Sequence, residues 1–529
     1  MFSIYHQPIA NTNYINHLIK DYIQGKLPIE LLPEYQYNLE HFKSHIASKS
    51  KHKQDRENIA NILNNQNKLY LQNTNIQYNI SLLKDDNTFC ITTAHQLNIF
   101  TGPLYVIYKI VTSIRISEAL KELFPEYNFV PVYVMGTEDH DLEEIRHFHI
   151  YNKTLSWETL QQGACGRMNT DGIAELIEAL QNILQKNGDE INALLSHAYS
   201  HYSLSEAQRY LIYHIFLDKN LLIADGDDID FKAMFIPFFK DEILNASAET
   251  FVHQQNDILK KYNYPIQSHV RPINIFYMKD DIRERIILEQ DTYKINNTQI
   301  SFSKVELLEE IDSHPENFSP NVILRPLYQQ VILPSICYVG GGGELSYWLQ
   351  LVPLFSHYRL PFPKLVLRNS ALFFPSYILK KWQKTGLKVL DVFSDFNTLK
   401  NNYISKQYDL KNIEKELDFY NENLYTSLVE HIQNIDPGLT GWIKAEQQKF
   451  IKQNEAIVQR LNKSLQQKNS TQLHQIENIL DTLFPNQQPQ ERHESMLWLW
   501  HLYGKSEVLD TLFKNFKPLA NDITVFAEE

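Results

Sequence analysis

A parallel sheet covered by helices, interrupted by helical and α/β insertions and followed by a helical hairpin, is the fold this sequence predicts, and three observations predict it. Short apolar runs recur as TFCITTA (Thr88–Ala94), FVPVYVM (Phe129–Met135) and NLLIADGDD (Asn220–Asp228), each the length of a buried strand. Helical patterns alternate with them, as in Leu104, Tyr105, Ile107, Tyr108, Val111, Ile114 and Leu120, and that alternation is the mark of an α/β sheet. From about residue 400 the pattern becomes Leu410, Ile413, Leu417, Tyr420 and Leu424 among charged neighbours, a short heptad run.

Taken in order, residues 11–75 carry apolar positions at helical spacing, such as Ile59, Ile62 and Leu63, and predict a helical lead-in. After the first strand Pro103 opens a helix at a position that tolerates it. Ile173, Leu176, Ile177, Leu180 and Ile183 predict a helical insertion at about 150–220, and INIFY (Ile273–Tyr277) adds a strand within an α/β insertion at about 225–320. The core resumes at Ile323–Phe355 and at KLVLR, Lys364–Arg368. Pro437 and Gly438 break the heptad run, and Ile443, Phe450, Ile457, Leu461 and Leu465 begin a second helix, so residues 400–529 are expected to form a coiled-coil domain after a core of residues 1–399.

Composition narrows the function. With 529 residues, 43% hydrophobic and 12% aromatic, the chain has material for more than one core. A net charge of −13 disfavours nucleic acid as a partner, and the basic run Lys49, Lys51 and Lys53 is expected to be a solvated face. Cys90, Cys165 and Cys337 form no CxxC pair, which argues against a disulfide framework or a thiolate zinc site and for a cytoplasmic location. The opening MFSIYHQPIA lacks a basic stretch followed by an apolar one, and no apolar run is long enough to span a membrane, so neither secretion nor a membrane partner is expected.

Three polar constellations stand at predicted strand ends, where open α/β sheets collect ligands. In TAHQLNIFTGPLYVIYK, His95 and Gln96 can donate to a phosphate or carboxylate, the turn Thr101, Gly102 and Pro103 permits close approach, and Lys109 follows on the helix. In GTEDHDLEEI, Glu138, Asp139, His140, Asp141, Glu143 and Glu144 crowd five acids beside an imidazole, which calls for a compensating positive group. Glu143 and Glu144 are read as helix N-terminal acids, whereas Asp139, His140 and Asp141 are candidates for chemistry. The run Gly340–Gly343 before Glu344 allows a ligand to approach backbone, but matches neither a dinucleotide fingerprint nor a phosphate loop. A metal is left open, since the spacing matches no HExxH and zinc is not required.

These stretches, with PVYVMGTEDHDLEEI, LLIADGDD, LRPLYQQVILPSICYVGGGGELSYWLQL and LFPNQQPQER, resemble the BshC family, the cysteine-adding enzymes of bacillithiol biosynthesis, from Thr93 to about Tyr503. Ala94 stands where a Gly often precedes the polar pair, and Gly342 replaces a Pro common in the family's turn. The resemblance implies a Rossmann-like core similar in plan to class I aminoacyl-tRNA synthetases, and a coiled coil that pairs two chains into a homodimer. It implies a ligase joining the carboxyl group of cysteine to the amine of glucosaminyl malate.

By analogy with that fold, cysteine would be activated by ATP with Mg²⁺ as an adenylate. His95, Gln96 and Thr101–Pro103 would then hold phosphates; Asp139 or Asp141, beside Glu138, would hold the ammonium and His140 accept its proton. Arg325 would clamp malate carboxylates, or form a structural ion pair; Gly340, Gly341, Gly343, Glu344 and Tyr347 would line the nucleotide or sugar side. The competing readings are a noncatalytic nucleotide-binding or scaffold protein with a coiled-coil arm, and a nucleotidyltransferase with another acceptor.

Overall fold

The computed structural model describes residues 2–33 and 35–529 and divides into two compact units. The larger comprises Pro8–Ala371 and Gln490–Thr524; the smaller comprises the N-terminal residues through Gln7, Leu372–Pro489 and Val525–Glu529.

Five parallel strands form the centre of the larger unit: β1 (Thr88–Gln96), β2 (Asn128–Gly136), β3 (Leu222–Asp225), β4 (Ser335–Gly340) and β5 (Lys364–Leu367). Across the sheet they run 3-2-1-4-5. β1 and β2 pair from Thr88 opposite Asn128 to Gln96 opposite Gly136. A sheet covered on both faces needs strands without a polar side, and β1 to β5 are accordingly near-continuous apolar runs. The threonines of β1 conform because Thr92 and Thr93 donate their hydroxyls to the carbonyls of Cys337 and Val339 at 2.9 and 2.8 Å. Phe89, Ile91, Ile336, Val339 and Val366 pack on one side with Phe42, Ile116 and Leu120, each such burial contributing about 1.5–3 kcal/mol.

The chain builds outward from β1 through β2 to β3, then crosses to the other side of β1 to lay down β4 and β5. The connections at the carboxyl ends of β1 and β4 therefore diverge and leave a crevice. Two insertions shape its walls. Between β2 and β3 lie the helices Ile173–Leu184, Asp189–Ala198 and Leu204–Ile215, as the apolar periodicity predicts. Between β3 and β4 lie four α-helices (Ile229–Asn245, Ser247–Lys261, Lys304–Ser313 and Arg325–Ile332) and an antiparallel sheet in the order Ser301–Phe302, Thr292–Ile295, Ile282–Glu289, Ile275–Lys279, Phe318–Pro320. The INIFY strand belongs to this second sheet, not to the parallel one.

Further differences from expectation have plain causes. Lys51 and Lys53 are exposed, but Lys49 is buried and donates to the Gln330 carbonyl at 3.3 Å; burial and then Arg56 lower its pKa to about 7. The units divide at Ala371/Leu372, earlier than residue 399, because Leu372, Phe374, Ile378 and Trp382 already share a core with Ile404, Ile476 and Leu483. Gln490–Thr524 rejoins the sheet unit, where Leu497, Leu499 and Leu512 are buried. The three cysteines are free and buried, and among the described residues no helix is long and apolar enough to cross a membrane.

In the smaller unit, α5 (Leu410–Ile435) and α6 (Thr440–Lys468) form the expected hairpin. Asp436 turns the chain by accepting from the Gly438 N–H at 2.9 Å. Only Leu410 and Asn421 of α5, and Ile443 and Asn454 of α6, are buried among the described residues. A three-stranded sheet of Phe2–Pro8, Asp522–Glu528 and Ser370–Phe374 brings the chain ends together.

Candidate active site

At the carboxyl end of β1 the backbone leads through Ala94, His95 and Gln96 toward α1 (Leu104–Leu123), and Tyr105 and Lys109, one helical turn apart, face back onto that strand end. Lys109 is buried and donates to the Ala94 carbonyl at 2.8 Å and to Glu344 Oε2 at 2.7 Å. Glu344 also accepts from Tyr338 at 2.7 Å and from the Gly341 N–H at 2.8 Å. Burial lowers the Lys109 pKa; burial opposes the Glu344 charge, but Lys109 and the Gly341 N–H hold its carboxyl below the usual range. The pair ties β1, α1 and the β4 turn into one frame.

His95 hydrogen-bonds Tyr105 Oη through Nε2 at 3.1 Å, and its ring meets the tyrosine edge-on. Burial, and then the Lys109 ammonium, lower its pKa to about 3, so it is a neutral imidazole at neutral pH.

After β4 the glycine run enters α4 (Gly342–Trp348). A Cβ on Gly340 would come within 2.8 Å of Leu345 and Tyr338, and one on Gly342 within 2.8 Å of Ile15. These glycines serve close packing: among the described residues, none of Gly340–Gly343 is left-handed. Gly341 faces the cleft beside Arg368, whose Nε is buried without a partner among the described residues. Arg368 is otherwise held by Glu491 at 2.7 Å.

The acidic turn after β2 meets the positive charge it requires, and the protein supplies it. Glu138, fully buried, pairs with Arg325 at the start of α3 (Arg325–Ile332), whose other Nη donates to the Pro320 carbonyl at 3.4 Å. Asp139 Oδ1 accepts from the N–H groups of His140 and Asp141 at 2.8 and 3.3 Å. Burial would raise the Asp139 pKa, yet the Arg283 and Arg325 guanidinium groups and the Asp141 N–H hold it well below the carboxylate range. Arg283, reaching in from the Ile282–Glu289 strand, places Nη1 2.6 Å from His140 Nδ1. A guanidinium has no acceptor, so Nδ1 accepts and the proton of the neutral ring sits on Nε2. The expected proton acceptance by His140 meets an occupied lone pair.

A cleft of about 780 Å³ lies over this frame, a volume suited to a small-molecule substrate. Of the candidates read from the sequence, His95, Gln96, Lys109, Asp139, His140, Arg325, Gly341, Gly343, Glu344 and Tyr347 line it. Glu138 lies behind Arg325 and Gly340 behind Gly341. Asp141 instead caps the short helix α2 that follows it, Leu142–Ile145 in the chain, through the Glu144 N–H at 3.2 Å. Thr101, Gly102 and Pro103 do not line the cleft: the Thr101 hydroxyl bonds Ser495 at 2.8 Å, Pro103 bridges Ser495, and a Cβ on Gly102 would meet Asn98 at 2.8 Å. That turn is structural in this geometry, and Glu144 rather than a ligand receives the Gln96 amide.

Sequence reasoning missed Arg271, Arg283, Arg285, Phe276 and His269 of the inserted segment, and Arg368 and Arg492, which also line the cleft. Arg283 and Arg285 alternate along IRERIILE and so share a face, with Phe276 directly opposite Arg285. Two arginines at period two on a strand were the available signal. Among the described residues, seven cationic side chains line the cleft (Lys109, Arg271, Arg283, Arg285, Arg325, Arg368 and Arg492) against two carboxylates, Asp139 and Glu344. In a chain of net charge −13 this is a concentrated positive cavity.

The family models for the N-terminal Rossmann-like domain and the C-terminal coiled-coil domain of bacillithiol biosynthesis BshC match residues 5–369 and 371–528. The chain belongs to the BshC family. Relatives named "Putative cysteine ligase BshC" include that of Flavobacterium johnsoniae, 38% identical over 97% of this chain and 98% of the relative. That of Cytophaga hutchinsonii is 33% identical over 100% and 99%, and that of Bacillus cereus 26% over 94% and 96%. Members of the BshC family are thus similar to this chain through both units. For Mg²⁺ the cleft is a poor cradle: Glu344 is engaged by Lys109, Tyr338 and Gly341, Asp139 by two N–H groups, and no cluster of three ligating side chains occurs among the described residues.

Proposed function

We propose that this chain is an amide-forming ligase that joins the carboxyl group of L-cysteine to the amine of glucosaminyl malate, using ATP, to give bacillithiol. The reading is supported above all by the positive cleft at the divergence of β1 and β4, because both ATP and a malate-bearing acceptor are polyanions. A cysteine carboxylate oxygen attacks the α-phosphorus, and the bond to the bridging oxygen breaks with release of pyrophosphate. The acceptor amine then attacks the acyl carbon of the cysteinyl adenylate, the bond to AMP breaks, and one proton is released to solvent.

Arg271, Arg285 and Arg492 offer guanidinium groups to phosphate or carboxylate, which is the charge neutralisation expected of Mg²⁺. Arg325 offers a malate carboxylate the N–H groups that it does not give to Glu138 and the Pro320 carbonyl. Asp139, kept ionised, suits the acceptor's ammonium. The ligase works in the cytoplasm as a homodimer, for which the sparsely buried α5 and α6, with exposed Phe419, Tyr420, Leu424 and Ile457, supply an apolar seam.

Incubating the purified protein with ATP, cysteine and glucosaminyl malate tests the chemistry: product and AMP in equal amounts, read by mass spectrometry, are expected. Product without AMP rejects the adenylate. Sedimentation of the intact chain tests the dimer, and a monomer at micromolar concentration rejects it.

A further inference from the structure

We propose that His140 acts as a hydrogen-bond donor through Nε2–H, locked in that tautomer by Arg283, which is a positioning residue reaching substrate only through the imidazole. The tautomer follows from contacts within the protein; the identity of the oxygen it serves rests on the ligase reading.

Three strands of the inserted sheet hold Arg283. Its own strand and the one carrying Ser319 flank the Phe276 strand, with Phe276 opposite both Arg285 and Ser319. Arg283 crosses over that central strand: its guanidinium lies 4.1 Å from the Phe276 ring centre, and Nε and Nη2 both reach Ser319 Oγ, at 3.2 and 3.1 Å. The side chain is 5% exposed, so it has no solvent to turn toward. This fixes Nη1 against His140 Nδ1 at 2.6 Å.

A proton on Nδ1 would set N–H against the Arg283 N–H, with no acceptor between them. Asp139 Oδ1, 3.7 Å from Nδ1, is occupied by the N–H groups of His140 and Asp141 and does not relieve that conflict. Arg283 thus occupies the Nδ1 lone pair and leaves the ring proton on Nε2. What remains is the Nε2–H of a ring that lines the cleft, is 43% exposed, and has no protein partner at that nitrogen among the described residues.

In the proposed reaction negative charge develops on the acyl oxygen of cysteine when the amine attacks, and a donor held beforehand at such an oxygen is worth about 100-fold in rate. A neutral donor suits this place: it stabilises the developing oxyanion without drawing in a permanent anion as the surrounding arginines do.

The full-length protein labelled with [¹⁵N]histidine tests this at pH 7.5, the His140 ring signals being assigned by their loss in His140→Gln. The expected spectrum is a neutral ring protonated at Nε2 and bare at Nδ1, retained in Arg283→Lys and averaged between tautomers in Arg283→Met. Ser319→Ala, which frees one side of Arg283, should move it part of the way and serves if Arg283→Met fails to fold. A wild-type ring protonated at Nδ1 overturns the proposal. In turnover, His140→Gln keeps an amide N–H where Nε2–H stood and should stay within about tenfold of wild type, while His140→Ala falls about 100-fold. Equal inactivity of both variants, with wild type active, also overturns it. A wild-type protein that makes no product refutes the ligase reading instead, and the ring spectrum still decides the tautomer.

Discussion

At single residues the account turns on which groups carry charge. His95 has a folded pKa of about 3 against an ordinary 6.5. As pH falls below 6.5 the unfolded chain takes up a proton that the fold refuses, so stability declines from pH 6.5 toward 3, by at most about 1.4 kcal/mol per unit. His95→Asn should flatten that slope in urea titrations at stepped pH, and an unchanged slope would mean the imidazole is protonated in place. Lys109 and Glu344 make the complementary case. Lys109→Met strands a shielded carboxylate and is expected to cost about 3 kcal/mol, most of it recovered in the double variant with Glu344→Gln; additive losses in chemical denaturation would mean the two do not couple. Most groups at these strand ends were legible, because His95, Gln96, Asp139, His140 and Glu344 sit one to five residues beyond apolar runs. What composition could not reveal was their state: the neutrality of His95 comes from burial, and the lone pair of His140 is taken by an arginine more than a hundred residues away.

Among elements, the β4–α4 turn shows sequence and packing constraining one another. Gly342 stands where the family resemblance leads one to expect Pro, and a Cβ there would lie 2.8 Å from Ile15 Cγ2. Proline is well suited to the first turn of a helix, so the obstacle is Ile15. Gly342→Pro is expected to destabilise by about 2 kcal/mol through overpacking, with Ile15→Ala restoring part of the loss; thermal unfolding of the two single variants and the double checks this, and a neutral Gly342→Pro would remove the constraint. In the hairpin, Asn421 of α5 and Asn454 of α6 are buried at matching distances from the turn, and Asn421 Oδ1 has no partner among the described residues. Asn421→Leu should stabilise the helices by about 1 kcal/mol, read from the urea midpoint. A loss would show that the amide has a partner in the assembled protein. The helices, their break at Pro437 and the strands β1 to β3 could be read from the sequence pattern alone. The Arg283 strand could not be placed, since alternation fixes which residues share a face but not which sheet they join.

For the whole molecule, the decisive feature is that a chain of net charge −13 concentrates seven cationic side chains in one cleft. Binding of a polyanion there should weaken as salt rises from about 50 to 300 mM, because screening shortens to under 10 Å. Replacing Arg271, Arg285 and Arg492 together by Gln should reduce ATP affinity at least about tenfold while leaving the melting temperature unchanged; calorimetric titration checks this, and equal affinity would put the nucleotide elsewhere. The sheet class was legible from alternating patterns, but the order 3-2-1-4-5 was not, because it depends on a crossover whose long insertion hides the return to β1. The unit boundary was misplaced for a similar reason: the heptad signal marks where long helices begin, whereas the core they join begins with the strand at Leu372. The central claim, that this cleft activates cysteine as an adenylate, is tested most directly by exchange of labelled pyrophosphate into ATP. The account predicts exchange that requires cysteine and needs no acceptor sugar. Amide product formed by a preparation that shows no such exchange, with or without the acceptor present, would contradict it.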